Sequence, residues 1–313
     1  MLLLALACTS PDEEAPPVEE ASYEETVSAG KEALAEAGVS RLRWGMTAFV
    51  DPESAVERWQ PLWDHVGDEL GVTIELVPLE AYEGVEEAMR RGEVDGATFR
   101  PRAYVHAREA MPLQLVGTHV VGGSAEYSAY IIMLEDQSVR DVAGLPDLGG
   151  GPFGFVHPNS TSGFIYPAAM LQEAGVHPLE DVEARWYRSH AGVFDAVSRG
   201  AVLAGAVNSI ELALSASDPS APSMRIVAKS DRIPYSAYVL REGLPPAAVS
   251  AMAAAMNGVS TKSAEGRELL RALPGVNGFL PVEDGYYDPV RDAAEVLEAK
   301  GIDPDALELP SGG

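Results

Sequence analysis

The chain has 313 residues, 46% of them hydrophobic, and a formal net charge of −26 from 22 basic and 48 acidic side chains. At about 150 residues per domain this length predicts two domains, and the hydrophobic content excludes a chain that is disordered throughout. The negative charge would repel a phosphate backbone, so no nucleic-acid partner is expected. The single cysteine, Cys8, excludes intramolecular disulfides, cysteine-rich zinc sites and iron–sulfur clusters. We expect no cofactor and no bound metal.

The N-terminal residues 1–8 (MLLLALAC) form a short apolar run that ends in Cys8. The run resembles the signal segment of a bacterial lipoprotein, which is cut before its cysteine. It lacks the basic residues usual at the start of a secretory signal, and Ala5 stands where leucine is usual, so an ordinary cytosolic N-terminus is the alternative. We predict a location in the periplasm or cell envelope with a lipid anchor on Cys8, since no later stretch approaches the about 20 apolar residues of a membrane span.

The segment that follows the cysteine is acidic. Residues 9–30 carry seven acidic side chains and no basic one. Prolines and clustered glutamates of this kind cannot bury enough apolar surface to offset the entropy of ordering. We therefore predict an acidic tether over residues 9–40, with a short helix over 32–38.

From Arg41 onward, apolar residues recur with the spacings of strands and helices. Strands are predicted over 42–49, 72–77, 94–99, 153–156, 184–187 and 202–207. Helices are predicted over 55–70, 82–91, 162–174 and 191–199. Two apolar, aromatic segments predict chain crossings, 127–134 and 236–240, and the tail has predicted helices near 246–257, 264–272 and 289–300. Strands that alternate with helices favour a mostly parallel sheet covered on both faces.

The alternation of strands and helices occurs twice, and this predicts an α/β protein of two lobes joined by two hinge crossings. Lobe 1 is predicted to comprise residues 41–133 and 238–313, and lobe 2 residues 134–237. Ligands of such folds bind in the cleft between the lobes, at loops beyond the strand ends.

The strongest local signal is a hydroxyl-rich turn between a predicted strand and a predicted helix. It contains Ser160, Thr161 and Ser162. Hydroxyls at a helix start cap free backbone N–H groups, and the same N–H groups with the helix dipole attract an anion. Three hydroxyls exceed what one cap requires, yet plain capping and anion binding both remain open. The net charge does not exclude an anion, because carboxylates beyond a Debye length of about 8 to 10 Å are largely screened.

Five further residues are candidates for the same cleft. His190 follows a strand and could donate to an oxyanion, although a lone histidine is also typical of a cap or a surface position. Tyr82, Phe99 and Tyr127 could wall a pocket, with core packing as the alternative. Arg100 follows a strand end and could clamp an anion bidentately or lie in solvent.

Taken together, these features resemble the substrate-binding proteins of ABC importers for phosphonate, phosphite and phosphate, over about residues 42–240. The most specific motif is PNSTSGF at 158–164, and supporting motifs are LEAYEGVEEAMR at 79–90, GEVDGA at 92–97 and SH at 189–190. The resemblance implies a two-lobe periplasmic-binding-protein fold, type II-like. It also implies a monomer that binds a small phosphorus oxyanion and presents it to an ABC permease in the membrane, with no catalytic residues.

The family's functional residues map onto positions of this chain. In the family the Ser-Thr-Ser turn holds the phosphonate oxygens, and the resemblance assigns that role to residues 160–162. Tyr82 matches a pocket tyrosine, His190 the histidine that donates to the oxyanion, and Tyr127 an aromatic residue at the hinge. Phe99 stands where tyrosine is common, so a hydroxyl contact is lost.

Two departures from the family pattern bear on the ligand. Members that take aminoalkyl phosphonates place a carboxylate near the second crossing, and the matching residue here is Ser236. A buried ammonium would be left unpaired there, which is costly, so phosphate, phosphite or methylphosphonate is the expected ligand. Arg100, where many relatives have glycine, adds a positive charge or faces solvent.

Two other functions remain open. A Ser/His hydrolase would use Ser160 or Ser162 as nucleophile with His190 as base, but the strained Gly-x-Ser-x-Gly turn of such enzymes is absent from the sequence. A membrane-tethered sensor of the same fold would report the ligand to a signalling partner, and the sequence does not separate this role from transport.

Overall fold

A computed structural model describes residues 21–47, 51–79, 82–148 and 150–307, without the side chains of 82–83, 146–148 and 216. The predicted signal segment and Cys8 lie outside these residues. The strands are β1 (Arg41–Thr47), β2 (Thr73–Leu79), β3 (Gly96–Phe99), β4 (Leu113–Val121), β5 (Glu126–Tyr127), β6 (Ala129–Leu134), β7 (Pro152–Phe155), β8 (Glu183–Trp186), β9 (Ala204–Asn208), β10 (Met224–Lys229), β11 (Ile233–Pro234), β12 (Ala237–Arg241) and β13 (Val276–Leu280). The helices are α1 (Tyr23–Glu36), α2 (Pro52–Leu70), α3 (Tyr82–Arg90), α4 (Pro101–Ala110), α5 (Tyr166–Glu173), α6 (His190–Ser198), α7 (Ser209–Ala216), α8 (Pro246–Gly258), α9 (Ala264–Leu269) and α10 (Asp288–Glu298), with a π-helical turn over Thr161–Ile165.

Two mixed sheets form the centres of the two lobes. The sheet of lobe 1 has the order β13-β4-β12-β3-β1-β2, and that of lobe 2 has the order β10-β6-β9-β7-β8. In lobe 1, β1 pairs parallel with β2 and β3, whereas β12 runs antiparallel to β3 and β4. The prediction of mostly parallel sheets is wrong here, because β12 inserts into the sheet after the chain has returned from lobe 2. The α/β class and the two-lobe architecture are confirmed.

The two chain crossings lie side by side between the lobes. β5 and β11 pair antiparallel, with Tyr127 opposite Ile233 and Glu126 opposite Pro234. β6 pairs with β9 in the sheet of lobe 2, so the predicted lobe boundary after residue 133 is wrong and the crossing lies at β5. A short ribbon of this kind is suited to a hinge motion that closes the lobes.

The predicted tether over residues 9–40 is wrong for its second half, because residues 23–36 form α1. Ser22 and Glu25 make a capping box at the start of this helix. Leu34 is 1% exposed, and a Cβ added to Gly30 would lie 2.1 Å from Cβ of Ala251 in α8. This close approach of α1 to α8 buries enough apolar surface to order a segment of acidic composition.

Helix α10 joins the tail of the chain to both lobes. It packs on α4 of lobe 1 and on α5 of lobe 2. Just before it, Tyr287 is fully buried, its ring lies 4.6 Å from that of Tyr104 at a tilt of 55°, and its hydroxyl donates to the carbonyl of Tyr235 at 3.1 Å. The predicted assignment of the whole tail to lobe 1 is therefore incomplete, and α10 supports the hinge side of the cleft.

Candidate functional site

A cavity of about 570 Å³ lies between the lobes. Seven of the nine predicted ligand-binding residues line it: Arg100, Tyr127, Ser160, Thr161, Ser162, His190 and Ser236. The predicted site residues from distant parts of the chain thus meet in one cleft. Their roles as ligand contacts stay a prediction.

Phe99 and Tyr82 differ from the other seven. Phe99 is 1% exposed and belongs to the hydrophobic core of its lobe. It does not line the cavity, because its position in β3 turns the side chain into the core, and its role as a ligand contact stays a prediction. Tyr82 is the first residue of α3, and its side chain lies outside the described part of the structure.

The helix predicted after β7 begins with a π-helical turn over Thr161–Ile165, and the α-helix follows it. The carbonyl of Ser160 accepts from the N–H groups of Phe164 at 2.9 Å and Ile165 at 3.1 Å. The Ser160 Oγ accepts from the N–H of Gly163 at 3.1 Å. Single π-helical turns are frequent at functional sites, and this wider turn places three consecutive hydroxyl residues beside the cleft.

The hydrogen bonds within the protein leave two of these hydroxyls available as donors. A hydroxyl has one O–H donor and two acceptor lone pairs. The N–H of Gly163 uses a lone pair of Ser160, and the N–H of Arg102 donates to Oγ1 of Thr161 at 3.0 Å. Among the described residues, no group accepts from either O–H. Both hydroxyls can therefore donate to an anion in the cleft.

His190 adjoins the third hydroxyl of the turn. Its Nε2 lies 3.2 Å from Oγ of Ser162, at hydrogen-bond distance. Burial and then the positive charge of Arg100 lower the pKa of His190 to about 4, and the carbonyl of Ala206 opposes them in part. The imidazole is neutral at pH 7, so it acts as a hydrogen-bonding group and adds no positive charge to the site.

A second histidine, His119 in β4, was not predicted from the sequence. It lines the cavity from lobe 1, its ring lies 4.7 Å from that of Tyr235, and its Nδ1 lies 3.3 Å from the hydroxyl of Tyr238. Burial and then Arg100 lower the pKa of His119 to about 3. Each lobe therefore contributes one neutral imidazole. β4, the strand that carries His119, was not predicted from the sequence, because Gln114, Gly117 and Thr118 interrupt its pattern of apolar residues.

Arginine side chains supply the fixed positive charge of the cleft. Arg100 lies at the N-terminus of α4 in lobe 1 and Arg188 just before α6 in lobe 2, and both line the cavity. Arg188 has φ of 61°, in a turn closed by the N–H of Ser189 donating to the carbonyl of Tyr187 at 2.8 Å. A non-glycine residue at such a φ costs on the order of 1 to 3 kcal/mol and is typical of ligand-binding turns. Arg188 is not among the site residues predicted from the sequence.

The two buried histidines predict how stability depends on pH. The unfolded chain takes up protons at His119 and His190 below about pH 6.5, whereas the folded chain does so only near pH 3 and pH 4. A depressed folded-state pKa gives stability that is present above pH 6.5 and lost as the pH falls towards these values. We expect the melting temperature to fall by several degrees between pH 6.5 and 5, measured by calorimetry.

A double variant, His119→Gln with His190→Gln, is the control for this pH dependence. Its melting temperature should change less over the same interval, whatever its absolute value. An equal slope in the two proteins would assign the pH dependence to other groups.

No group of three or more His, Cys, Asp or Glu side chains within the described ranges is placed to hold a metal ion. No helix among the same residues has the length and apolar character needed to cross a membrane.

Known proteins resemble the chain in both sequence and fold. A family model described as "ABC transporter, phosphonate, periplasmic substrate-binding protein" matches residues 44–287. The phosphate-import protein PhnD of Mycolicibacterium smegmatis is 30% identical over 259 residues, which cover 76% of this chain and 80% of that protein.

Solved structures share the same two-lobe fold. PhnD1 of Prochlorococcus marinus in complex with methylphosphonate has a TM-score of 0.70 at 18% identity, covering 83% of this chain and 98% of that one. A binding-protein component of an ABC phosphonate transporter from Pseudomonas aeruginosa has a TM-score of 0.70 at 20% identity, covering 87% and 90%. The chain belongs to the family of periplasmic substrate-binding proteins of phosphonate ABC transporters.

Proposed function

We propose that the protein captures a small phosphorus oxyanion (phosphate, phosphite or an alkylphosphonate) between its lobes and delivers it to an ABC permease. The observation that carries this proposal is the meeting of the three hydroxyls of 160–162, His190 and Arg100 in one cleft. Hydroxyl donors and a guanidinium match the oxygens of a tetrahedral anion. The M. smegmatis relative is named for phosphate import and the P. marinus structure holds methylphosphonate, which supports the same ligand class.

Binding follows from the placement of the donors in both lobes. The turn at 160–162 and His190 belong to lobe 2, whereas Arg100 and His119 belong to lobe 1. An oxyanion that contacts both sets draws the lobes together about the β5–β11 ribbon, and closure removes water and strengthens each charge-assisted bond. The closed form is then the form that a permease recognises.

Thermal-shift and calorimetric titrations test this function directly. The protein over residues 21–313, stripped of ligand, is titrated with phosphate, phosphite, methylphosphonate, 2-aminoethylphosphonate and sulfate. A ligand at a hundredfold excess over its Kd should stabilise the fold by about 2.7 kcal/mol. Micromolar or tighter binding of one phosphorus oxyanion supports the proposal, and no response to any of the four phosphorus ligands refutes it.

Ser162→Ala should weaken binding of the preferred oxyanion about tenfold, because a hydrogen bond to a charged group contributes about 1.5 to 3 kcal/mol. Calorimetric titration measures the change. Ser198→Ala is the matched control, since the hydroxyl of Ser198 donates to the carbonyl of Phe194 within α6 and should leave the affinity unchanged. An unaltered affinity in Ser162→Ala would remove this hydroxyl from the site.

A Ser/His hydrolase is the second candidate, favoured by the 3.2 Å contact between Ser162 and His190. A serine nucleophile needs a base that a third group orients. The imidazole of His190 has the backbone carbonyl of Ala206 beside it, and no carboxylate among the described residues forms a hydrogen bond with it. We therefore propose binding without catalysis. Turnover of p-nitrophenyl phosphate or p-nitrophenyl acetate that is lost in Ser162→Ala would reverse this choice.

Family membership implies an extracytoplasmic location, and we propose a lipid on Cys8 as the anchor. Cys8→Ser should release the full-length protein from the membrane fraction, as detected by immunoblotting after fractionation. We also propose that the protein is a monomer, which light scattering tests.

A further inference from the structure

The cleft is larger than a bare oxyanion requires. Its volume is about 570 Å³. Pockets of about 300 to 1,000 Å³ are typical for organic ligands. Phosphate has five non-hydrogen atoms and fills a small part of this space.

Apolar side chains of both lobes line the cavity. Ala55 and Trp59 of α2 line it from lobe 1, and Ile210 of α7 lines it from lobe 2. The Trp59 ring packs 6.4 Å from the buried ring of Tyr238, which fixes its position. Ile210 is 40% exposed and is one of four large hydrophobic side chains exposed among the described residues.

One acidic side chain lies among the described residues that line the cavity, Glu211 of α7. The hydroxyl of Ser215 donates to its Oε1 at 2.7 Å, and the other carboxylate oxygen keeps its lone pairs. Ser236 at the second crossing carries no charge. An apolar substituent is therefore favoured by the apolar side chains of the wall and not by its charges.

We propose that Ala55, Trp59 and Ile210 form a subsite for the organic group of the ligand. The ligand is then a phosphonate or phosphate monoester with an aromatic or bulky apolar substituent, whose phosphorus head binds at 160–162 and whose substituent packs on Trp59. Aromatic side chains favour stacked or edge-to-face contact with such a group. This inference rests on the proposed function, because it needs the anion head to bind at the hydroxyl turn.

Calorimetric titration with phosphate, methylphosphonate and phenylphosphonate tests the subsite in three proteins: the wild type, Trp59→Ala and Trp59→Phe. In the wild type, phenylphosphonate should bind at least about tenfold more tightly than methylphosphonate. Trp59→Ala should remove most of this preference and leave phosphate binding within about twofold, whereas Trp59→Phe should retain it because a ring remains.

Three outcomes would overturn the inference. Equal affinities for methylphosphonate and phenylphosphonate in the wild type would mean that no substituent occupies the wall. An equal loss for phosphate and phenylphosphonate in Trp59→Ala would make Trp59 a contact between closing lobes. In both cases the proposed function stands, because phosphate or methylphosphonate still binds. No binding of any of the three ligands would overturn the proposed function together with the inference.

Discussion

Replacing Gly163 by alanine should lower ligand affinity about a hundredfold, because a displaced hydroxyl turn would weaken hydrogen bonds to the anion that contribute about 1.5 to 3 kcal/mol each. An added Cβ would lie 2.4 Å from Cγ2 of Val156 and 2.7 Å from Oγ of Ser160. Contacts this short force the end of β7 or the hydroxyl turn to move. Overpacking of this kind also costs about 1 to 3 kcal/mol of stability. Calorimetric titration measures the affinity and differential scanning calorimetry the stability.

The backbone of Gly163 also connects the hydroxyl turn to the end of β7. The N–H of Gly163 donates to Oγ of Ser160, and the carbonyl of Gly163 accepts from the N–H of Val156 at 3.1 Å. Gly285→Ala is the control, since an added Cβ there meets only Oδ2 of Asp288, at 3.4 Å, and should change neither quantity. Wild-type affinity in Gly163→Ala would contradict the assignment of the turn as the anion site.

Local signals explain which parts of the site could be predicted from the sequence. Ser160, Thr161 and Ser162 could be found because a strand end, hydroxyl residues and a helix start are adjacent in the chain. His190 could be found for the same reason, because it follows a strand and Ser189 before it is the N-cap of α6. His119 could not be found in this way, because its place depends on β4 pairing with β12 across more than 100 residues of chain.

Composition misled the prediction at the N-terminus. The acidic composition of residues 9–30 predicts a tether and places the first short helix only at 32–38, although Ser22 and Glu25 have the spacing of a capping box and α1 begins at Tyr23. The capping box is a local signal that was present and unused. The packing of Gly30 on Ala251 is not local, and it is this contact with α8 that fixes the helix on lobe 1.

The fold could likewise be predicted only as far as local sequence patterns determine it. Alternation of strands and helices was sufficient for the two α/β lobes. It could not indicate that β12 enters the sheet of lobe 1 between β3 and β4, since strand order depends on where the chain re-enters after crossing twice. Nor could periodicity predict that α10 packs on both lobes.

Arg100→Gln should weaken binding of a dianionic phosphorus ligand about a hundredfold at pH 7.5, as expected for a hydrogen bond to a charged group that contributes up to about 3 kcal/mol. His119 and His190 are neutral at this pH, so on the lobe 1 side of the cleft the guanidinium is the positive charge that faces the ligand. Glutamine keeps hydrogen-bond donors and removes the charge. Calorimetric titration with phosphate and methylphosphonate measures the loss.

The same substitution should change the pH dependence of binding. Burial and then Arg100 lower the pKa of both His119 and His190, so removal of Arg100 raises both pKa values and allows a histidine to gain a proton at a higher pH. The ratio of wild-type to variant affinity should therefore narrow between pH 7.5 and 5, by more than the narrowing that protonation of the ligand from dianion to monoanion produces over the same range. Arg271→Gln is the control, because its side chain is 77% exposed and paired with Glu268. A narrowing no larger than that from ligand protonation would show that the charge of Arg100 acts on the ligand alone and not through the two imidazoles.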